Sequence, residues 1–298
     1  MKPIRVLFVI CALLVIQPVS AATWPSDSIV AQDTVRVNYI RFGGVCVAAA
    51  STLGASYIHL QNTWWKETQQ GFHFDTGADL KYAVNLDKFG HFFGGVIASD
   101  IYSRSLKWCH FSERKCLWYG AGFGVFVQMA IEVKDAFAPR WGFSYWDVIS
   151  GSVGSLYPVG QHYFPFLAAT QPKLSYYKRT NRYFDTVNPH ARKNAWNDDY
   201  INQTYWLSFR LKDYFGEDRM KWWPAFLGIA AGVGVDEEVD GKGAGNIETY
   251  LALDYDLPSL FPKERKVWRT IAHFVNYIKL PAPTLRFTPE FKAYGAFM

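Results

Sequence analysis

Residues 87–106 read DKFGHFFGGVIASDIYSRSL, an apolar segment in which small residues recur at helical spacing. Gly94, Gly95 and Ala98 fall on one side of such a helix, where they would let a neighbouring backbone approach closely. Three further segments, 42–60, 117–137 and 145–158, share this texture of Gly, Ala and apolar residues. The pattern predicts four helices in a compact antiparallel bundle.

The second half of the chain has a different amino-acid composition. From Gln171 onward the sequence is charged and rich in Tyr and Asn, which predicts a domain boundary near residue 170. We therefore expect a helical bundle domain over 22–170 and a C-terminal α+β subdomain over 171–298. With a small antiparallel sheet in that subdomain, the predicted fold class is mainly α.

Four segments of this half have interpretable periodicity. Residues 198–214 predict an amphipathic helix, although the alternation at Tyr205, Leu207 and Phe209 also fits a strand. Residues 225–235 and 247–257 predict a β-hairpin. A helix over 263–279 and a third strand over 285–297 complete the expected subdomain.

The N-terminus has the pattern of a secretory signal peptide. Lys2 and Arg5 precede an apolar run over 6–16, and Val19-Ser20-Ala21 supplies the small residues of a cleavage site. The run is shorter than the roughly 20 residues that a transmembrane helix needs, so residues 1–21 are expected to be removed. No cysteine stands at the lipoprotein position, and we expect no covalent lipid. The sequence thus predicts an exported protein of the periplasm or envelope membrane.

The four helices could also be read as membrane spans. Each is about the length that a span requires, or shorter, and several contain charges. A cleaved signal would place the loop between the second and third helices outside the cytoplasm, whereas its basic residues Arg104, Lys107, Arg114 and Lys115 favour the inside. The number of spans stays open.

Composition excludes one class of function. The net charge is +5, and basic residues are interleaved with acids instead of forming a stripe, so nucleic acid is not an expected partner. Aromatic residues make up 18% of the chain, which favours a membrane interface or an aromatic core. Membrane lipid or another envelope protein is therefore the expected partner.

Two cysteines bracket a short polar segment between helices. In an oxidising compartment, Cys109 and Cys116 could form a local disulfide. A metal site built from these thiols and His110 is the weaker alternative, because no fourth ligand is in view.

Seven polar residues should meet at one end of the bundle. In an antiparallel arrangement the start of one helix lies beside the end of the next, and residues three or four apart share a helix face. The set comprises Asp87, Lys88, His91, Glu132, Asp135, Arg140 and Asp147.

This cluster has three physical interpretations. In the first it is structural, with Asp87 and Asp147 as first-turn acids and with carboxylates paired to Lys88 or Arg140. In the second, Asp87, His91, Glu132 and Asp135 bind a metal. In the third the same four residues are catalytic, with Glu132 or His91 as general base and Arg140 binding an anionic phosphate. The candidate binding residues are Lys88, Arg140 and Asp147.

The chain contains none of the common catalytic signatures. We find no G-x-S-x-G, H-E-x-x-H, Walker loop or Rossmann glycine pattern. Apart from the metal alternative, the sequence indicates no cofactor.

The motifs around this cluster resemble those of the YfiM-like family of predicted periplasmic lipoproteins of unknown function. The similar stretches are DKFGHF (87–92), EVKD (132–135) and GFSYWDV (142–148), followed by Gly151 and Gly154. The order D-K-x-x-H, E, R and S-x-x-D is also distantly similar to VanZ-like membrane proteins. The resemblance implies an envelope location and a helical core but no activity, and the lipoprotein cysteine of the family is missing here.

Two classes of function follow from these observations. The sequence favours an uncharacterised cell-envelope protein with a structural or interaction role at the periplasm or membrane surface. The alternative is an enzyme or metal-binding protein that acts on lipid-linked or cell-wall phosphates through the acidic and histidine cluster. Whether the cluster lies beneath a pocket distinguishes the two.

Overall fold

The computed structural model describes residues 36–183, 196–240, 243–262 and 264–298. The predicted signal segment, 1–21, lies outside these residues. The helices are α1 (Tyr39–Gln61), α2 (Leu86–Trp108), α3 (Glu113–Asp135), α4 (Tyr145–Tyr163), α5 (Pro165–Ala168), α6 (Leu211–Phe215) and α7 (Lys266–Val275). The strands are β1 (Thr170–Tyr176), β2 (Gln203–Phe209), β3 (Leu227–Val235), β4 (Ile247–Tyr255), β5 (Ala282–Thr288) and β6 (Lys292–Phe297).

Helices α2, α3 and α4 pack closely through their glycines. A Cβ atom added at Gly120 of α3 would lie 2.6 Å from the carbonyl oxygen of Ser99 in α2. One added at Gly154 of α4 would overlap the backbone of Phe92. The recurrence of small residues therefore serves close helix packing, as expected from the sequence.

The sequence predicted that α1 packs with these three helices, but in the structure it does not. None of its residues is buried, and its N-terminus is tied to the end of α2 by a bond from Asn38 N to Cys109 O of 2.9 Å. In the described part of the chain, two helices, α1 and α3, are long and apolar enough to cross a membrane, judged by length and composition alone. In the apolar 18-residue stretch of each helix, 0% is buried in α1 and 33% in α3. A four-helix bundle is not confirmed, because the packed unit contains three of the four helices.

The sheet is larger than the small sheet predicted. Six strands follow one another in chain order, each antiparallel to its neighbour. The predicted hairpin is confirmed as β3 and β4, and the predicted third strand is a pair, β5 and β6. The fold is therefore mixed α+β instead of mainly α.

Strand β1 was not predicted and β2 only as an alternative to a helix, because both faces of each strand are buried. In β2, Tyr205 joins the core beside α2, while Trp206 packs in a second core with Tyr250. In β1, the buried Lys173 Nζ lies 2.7 Å from Asp254 Oδ2. For 203–209 the helix predicted over 198–214 is wrong, and the strand alternative indicated by Tyr205, Leu207 and Phe209 is confirmed.

One hydrophobic core joins the helices to the sheet. Phe93 and Val96 of α2 pack with Tyr205 of β2 and with Val233 and Val235 of β3. The sheet begins at Thr170, beside the predicted domain boundary. The sheet thus supports one side of α2 and leaves the start of that helix next to residues 198–205.

The predicted disulfide is absent. Cys109 and Cys116 are separate, buried thiols. Cys109 caps the C-terminus of α2, and Cys116 Sγ lies 3.5 Å from the carbonyl oxygen of Phe111. The disulfide prediction is therefore wrong, because both thiols are free and Cys116 Sγ contacts the carbonyl oxygen of Phe111 instead.

Candidate functional site

The predicted polar residues converge on one cavity of about 270 Å³. It lies where α2 begins, α3 ends and α4 begins. Six of the seven residues line it, namely Asp87, His91, Glu132, Asp135, Arg140 and Asp147. Lys88 lies directly behind the cavity wall and bonds Asp87 and Asp147.

Two irregular segments close the cavity. Residues 62–85 and 136–144 run side by side, joined by backbone bonds from His73 N to Ala136 O and from Asp75 N to Phe143 O. Residues 83–85 then take left-handed backbone angles, with φ of 44, 52 and 66°. This turn leads the chain into α2. Asp79, which precedes the turn, contacts Lys88, which follows it.

Lys88 holds three carboxylates from three elements. Its Nζ lies 2.6 Å from Asp79 Oδ1, 2.7 Å from Asp87 Oδ2 and 2.7 Å from Asp147 Oδ1. Burial by itself would lower the pKa of Lys88, but the three carboxylates outweigh burial and raise it. The ammonium group therefore stays charged and occupies the position that a metal would take among these three aspartates.

Ser144 organises the start of α4. Its Oγ accepts a bond from Asp147 N at 3.2 Å, as an N-cap does, and donates to Asp79 Oδ2 at 2.6 Å. Its backbone N donates to Glu132 Oε2 at 3.1 Å. One serine thus fixes Asp79, Glu132 and Asp147 relative to one another.

His91 points its free nitrogen at two further carboxylate oxygens. Nδ1 lies 3.0 Å from Gln128 Oε1, and since that oxygen is an acceptor, Nδ1 carries the hydrogen. Nε2 then presents a lone pair toward Glu132 Oε1 at 3.7 Å and Asp147 Oδ1 at 3.8 Å. These distances are too long for hydrogen bonds. No donor lies between His91 Nε2 and Glu132 Oε1, whereas Asp147 Oδ1 is also paired with Lys88 Nζ at 2.7 Å.

Several buried polar atoms of the cavity residues have no hydrogen-bond partner within the described part of the chain. The acceptors are Asp87 Oδ1 and Glu132 Oε1, together with Asp147 Oδ1, which has only its ion pair with Lys88. The donors are the indole Nε1 atoms of Trp64 and Trp141. Leaving such a group unpaired costs about 1–3 kcal/mol. A cavity with unused acceptors and unused donors is chemically suited to a polar ligand.

The cavity carries more acid than base. Burial, together with the charges of Asp135 and Asp147, raises the pKa of Glu132 to about 10. Burial, with Asp147 and Asp198 nearby, raises the pKa of Asp135 to about 8, although the Trp65 indole donates to its Oδ1 at 2.5 Å. Burial likewise raises the pKa of Asp87 and of Asp147. The carboxylates must therefore hold protons or share an additional cation.

A divalent cation fits between His91, Glu132 and Asp147. The ligand atoms of these three residues all lie within 4.8 Å of one another. Metal bonds of about 2.0–2.2 Å place tetrahedral ligand atoms about 3.3–3.6 Å apart, slightly closer than the separations here. The bond from His91 Nδ1 to Gln128 is the usual support of a metal-bound imidazole. The cation would also satisfy Glu132 Oε1.

The structure groups the predicted ligands differently from the sequence. His91 and Glu132 face Asp147, whereas Asp87 bonds Lys88 and Asp135 accepts from Trp65. Arg140 lines the cavity, and its Nε donates to Glu67 Oε1 at 2.8 Å.

Sequence reasoning missed the part of the site that comes from irregular segments. Asp79, Ser144, Trp64 and Trp141 have no helical periodicity to place them. Only Ser144, three residues before Asp147 at a helix start, carries a recognisable capping signal.

Comparison of this chain with protein-family models, with curated proteins and with solved structures finds no match in any of the three. The similarity to the YfiM-like family therefore stays a prediction from short motifs.

Proposed function

We propose that this protein is a cell-envelope enzyme that binds a divalent cation through His91, Glu132 and Asp147 and cleaves or transfers a phosphate ester. The observation that carries the proposal is the meeting of His91 Nε2 with Asp147 Oδ1 and with Glu132 Oε1, which has no hydrogen-bond partner in the described part of the chain. A purely structural cluster would satisfy Glu132 Oε1, as Lys88 satisfies its three aspartates. Because six of the seven predicted polar residues line one cavity, we favour an enzymatic function over the interaction role that the sequence favoured.

Other residues that line the cavity support an anionic substrate. The indole N–H groups of Trp64 and Trp141 are unpaired donors, and Arg140 adds a positive charge. Donors and a cation in one cavity are suited to the oxygens of a phosphate group. Phosphate esters are therefore the substrate class that we propose.

The acid–base groups are arranged for hydrolysis. When bound, a divalent cation polarises the phosphate and makes a bound water more acidic. Asp79 also lines the cavity, and although burial by itself would raise its pKa, Lys88 lowers it. Asp79 is therefore the carboxylate that we propose accepts the proton of the attacking water. Asp135, whose pKa is raised to about 8, would give its proton to the leaving alcohol as the phosphorus–oxygen bond breaks.

Metal titration tests this proposal. We expect the purified protein, stripped with chelator, to bind one Mn²⁺ or Zn²⁺ in equilibrium dialysis. Replacing one ligand should weaken binding by at least about tenfold in His91→Ala and Glu132→Gln. Asp213→Asn, at an exposed ion pair with Arg210, is the matched control and should bind as wild type.

The same samples then test catalysis with bis(4-nitrophenyl) phosphate. Activity that requires the metal and is lost in Asp135→Asn supports the assignment. Equal metal binding by wild type and Glu132→Gln would overturn it.

A second candidate is the interaction role at a membrane surface. It is favoured by α7, whose apolar residues Val267, Trp268 and Ile271 are exposed. This role is compatible with the enzymatic one, because an enzyme of lipid-linked phosphates also has to reach a membrane surface. An envelope location remains part of the proposal.

A further inference from the structure

A second cavity adjoins the acidic one. It has a volume of about 540 Å³ and lies between α1 on one side and α2 and α3 on the other, with residues near the start of β2 at its base. Trp64, His91 and Tyr200 line both cavities. The two spaces therefore meet at the histidine of the proposed metal site.

The second cavity differs from the first in chemistry. Its walls are made mainly of apolar side chains such as Leu53, Ile97, Phe123 and Ile131. The polar groups at its base are already bonded to protein, as in the bond of 2.6 Å from Tyr205 OH to Gln203 Oε1. Among the described residues that line it, the one buried side-chain atom without a partner is Trp64 Nε1, which the acidic cavity shares. Its occupant needs no polar groups along its length.

The cavity is also elongated. Its lining on α2 runs from His91 to Ser105, which are about 21 Å apart at 1.5 Å per residue. The hydrocarbon layer of one bilayer leaflet is roughly 15 Å thick, so the cavity is long enough for a lipid chain.

We propose that the apolar cavity holds the aliphatic chain of an amphiphilic substrate whose phosphate head lies in the acidic cavity. This inference rests on the proposed function, since it supplies the other half of the same substrate. The junction at His91 places the head beside the metal ligands and directs the chain along α2. A peptide segment is less suited to the apolar cavity, because its backbone N–H and C=O groups would find no partners there.

Helix α1 accounts for the cavity remaining accessible. Its apolar residues form one wall, yet none of them is buried against the rest of the fold. The aliphatic chain of a substrate that lies between α1 and α2 would cover apolar surface on both helices. The substrate class that follows is a phosphate ester of a long-chain lipid.

Binding of a fluorescent fatty acid, 11-(dansylamino)undecanoic acid, tests the inference in the full chain. We expect saturable binding with a blue-shifted emission in wild type. Ala98→Trp fills the cavity from α2 and Ala49→Trp fills it from α1, and each should weaken binding by about tenfold or more. Ala130→Trp, at an exposed position of α3 that lines neither cavity, should bind as wild type.

The variants separate this inference from the proposed function. Ala98→Trp should lose the fatty acid and keep the metal, whereas Glu132→Gln should lose the metal and keep the fatty acid. Ala49→Trp guards against misfolding, because α1 contributes no buried residue. Equal fatty-acid binding by wild type, Ala98→Trp and Ala49→Trp, or none by wild type, would overturn the inference. Fatty-acid binding without metal binding would overturn only the proposed function.

Discussion

At Lys88 a single ammonium group ties three elements together. Asp79 belongs to the irregular segment before α2, Asp87 to the first turn of α2 and Asp147 to the first turn of α4. All four side chains are largely buried, so the screening that weakens surface ion pairs is small here. Removing the ammonium group would leave three buried carboxylates without a counter-charge.

Lys88→Met should therefore destabilise the protein strongly. Breaking a buried ion pair by removing one partner costs about 3–5 kcal/mol. Urea unfolding followed by circular dichroism measures the change in the free energy of unfolding. Lys107→Met, at an exposed site of the same helix, should stay within about 0.5 kcal/mol of wild type. A similar small effect for both variants would show that Lys88 is not the centre of the cluster.

Asp135 should make stability fall as pH rises. Its pKa is raised to about 8 in the folded protein, compared with about 3.9 in an unfolded chain. The folded state binds the proton more tightly, so the stabilisation is complete below pH 4 and is lost as pH rises through 8.

Asp135→Asn keeps the shape and removes the titration. In chelator, its free energy of unfolding relative to wild type should increase between pH 5 and pH 8. Asp218→Asn, at an exposed ion pair with Lys221, serves as the control and should show no such trend. A relative stability that is constant with pH would mean that Asp135 is ionised in the folded protein.

The candidate site was predictable where helix geometry determines it. The i, i+4 spacing of Asp87 and His91, and the antiparallel order of α2 and α3, predicted their convergence with Glu132. The exact partners were not predictable, because they depend on Asp79 and Ser144 in irregular segments. The sequence grouped Asp135 with His91, whereas in the structure Asp135 accepts a bond from Trp65.

At the scale of elements, the packing of α2, α3 and α4 depends on glycine. An added Cβ at Gly154 would overlap the backbone of Phe92, which cannot move without shifting the start of α2. Gly122 of α3 has nothing within 4 Å of the same added atom. Substitution by alanine at Gly154 and at Gly122 therefore compares a closely packed position with an open one.

Gly154→Ala should destabilise the protein by about 1–3 kcal/mol or more through overpacking. Gly122→Ala should instead stabilise it by up to about 1 kcal/mol, because alanine is the better helix former. Thermal unfolding of both variants measures the opposite signs. Destabilisation of equal size in both would contradict the close packing of these helices.

The elements themselves were predicted unevenly. The four long helices begin and end within about five residues of their predicted limits, because Gly, Ala and apolar residues dominate each segment and polar connections separate them. For β2 the sequence left both helix and strand open, since Tyr205 and Trp206 are buried on opposite faces of the sheet and the strand alternation is incomplete. Strand β1 was not predicted, because it contains the charged residue Lys173. In the structure Lys173 is buried and forms an ion pair with Asp254 of β4, which is distant in sequence.

For the whole molecule, the exposed apolar surface is the feature that packing does not explain. Val267, Trp268 and Ile271 of α7 are exposed, and Lys266 lies beside them. An amphipathic helix of this kind lies in the plane of a membrane interface.

We therefore expect the protein to sediment with anionic phosphatidylglycerol vesicles. Trp268→Glu should reduce the bound fraction several-fold, because it puts a charge into the apolar face. Gln69→Glu adds the same charge at an exposed loop position and should bind as wild type. Loss of binding in both variants would point to net charge instead of α7.

The location of a bound metal tests the central claim most directly. Anomalous diffraction from crystals grown with Mn²⁺ or Zn²⁺ would show the ion itself. We predict one strong peak between His91 Nε2, Glu132 Oε1 and Asp147 Oδ1, about 2.0–2.2 Å from each. The contrary result is no peak at this position, with His91 hydrogen-bonded directly to Glu132 or Asp147 at about 2.8 Å. The cluster would then be an ion-pair scaffold that holds three helices together.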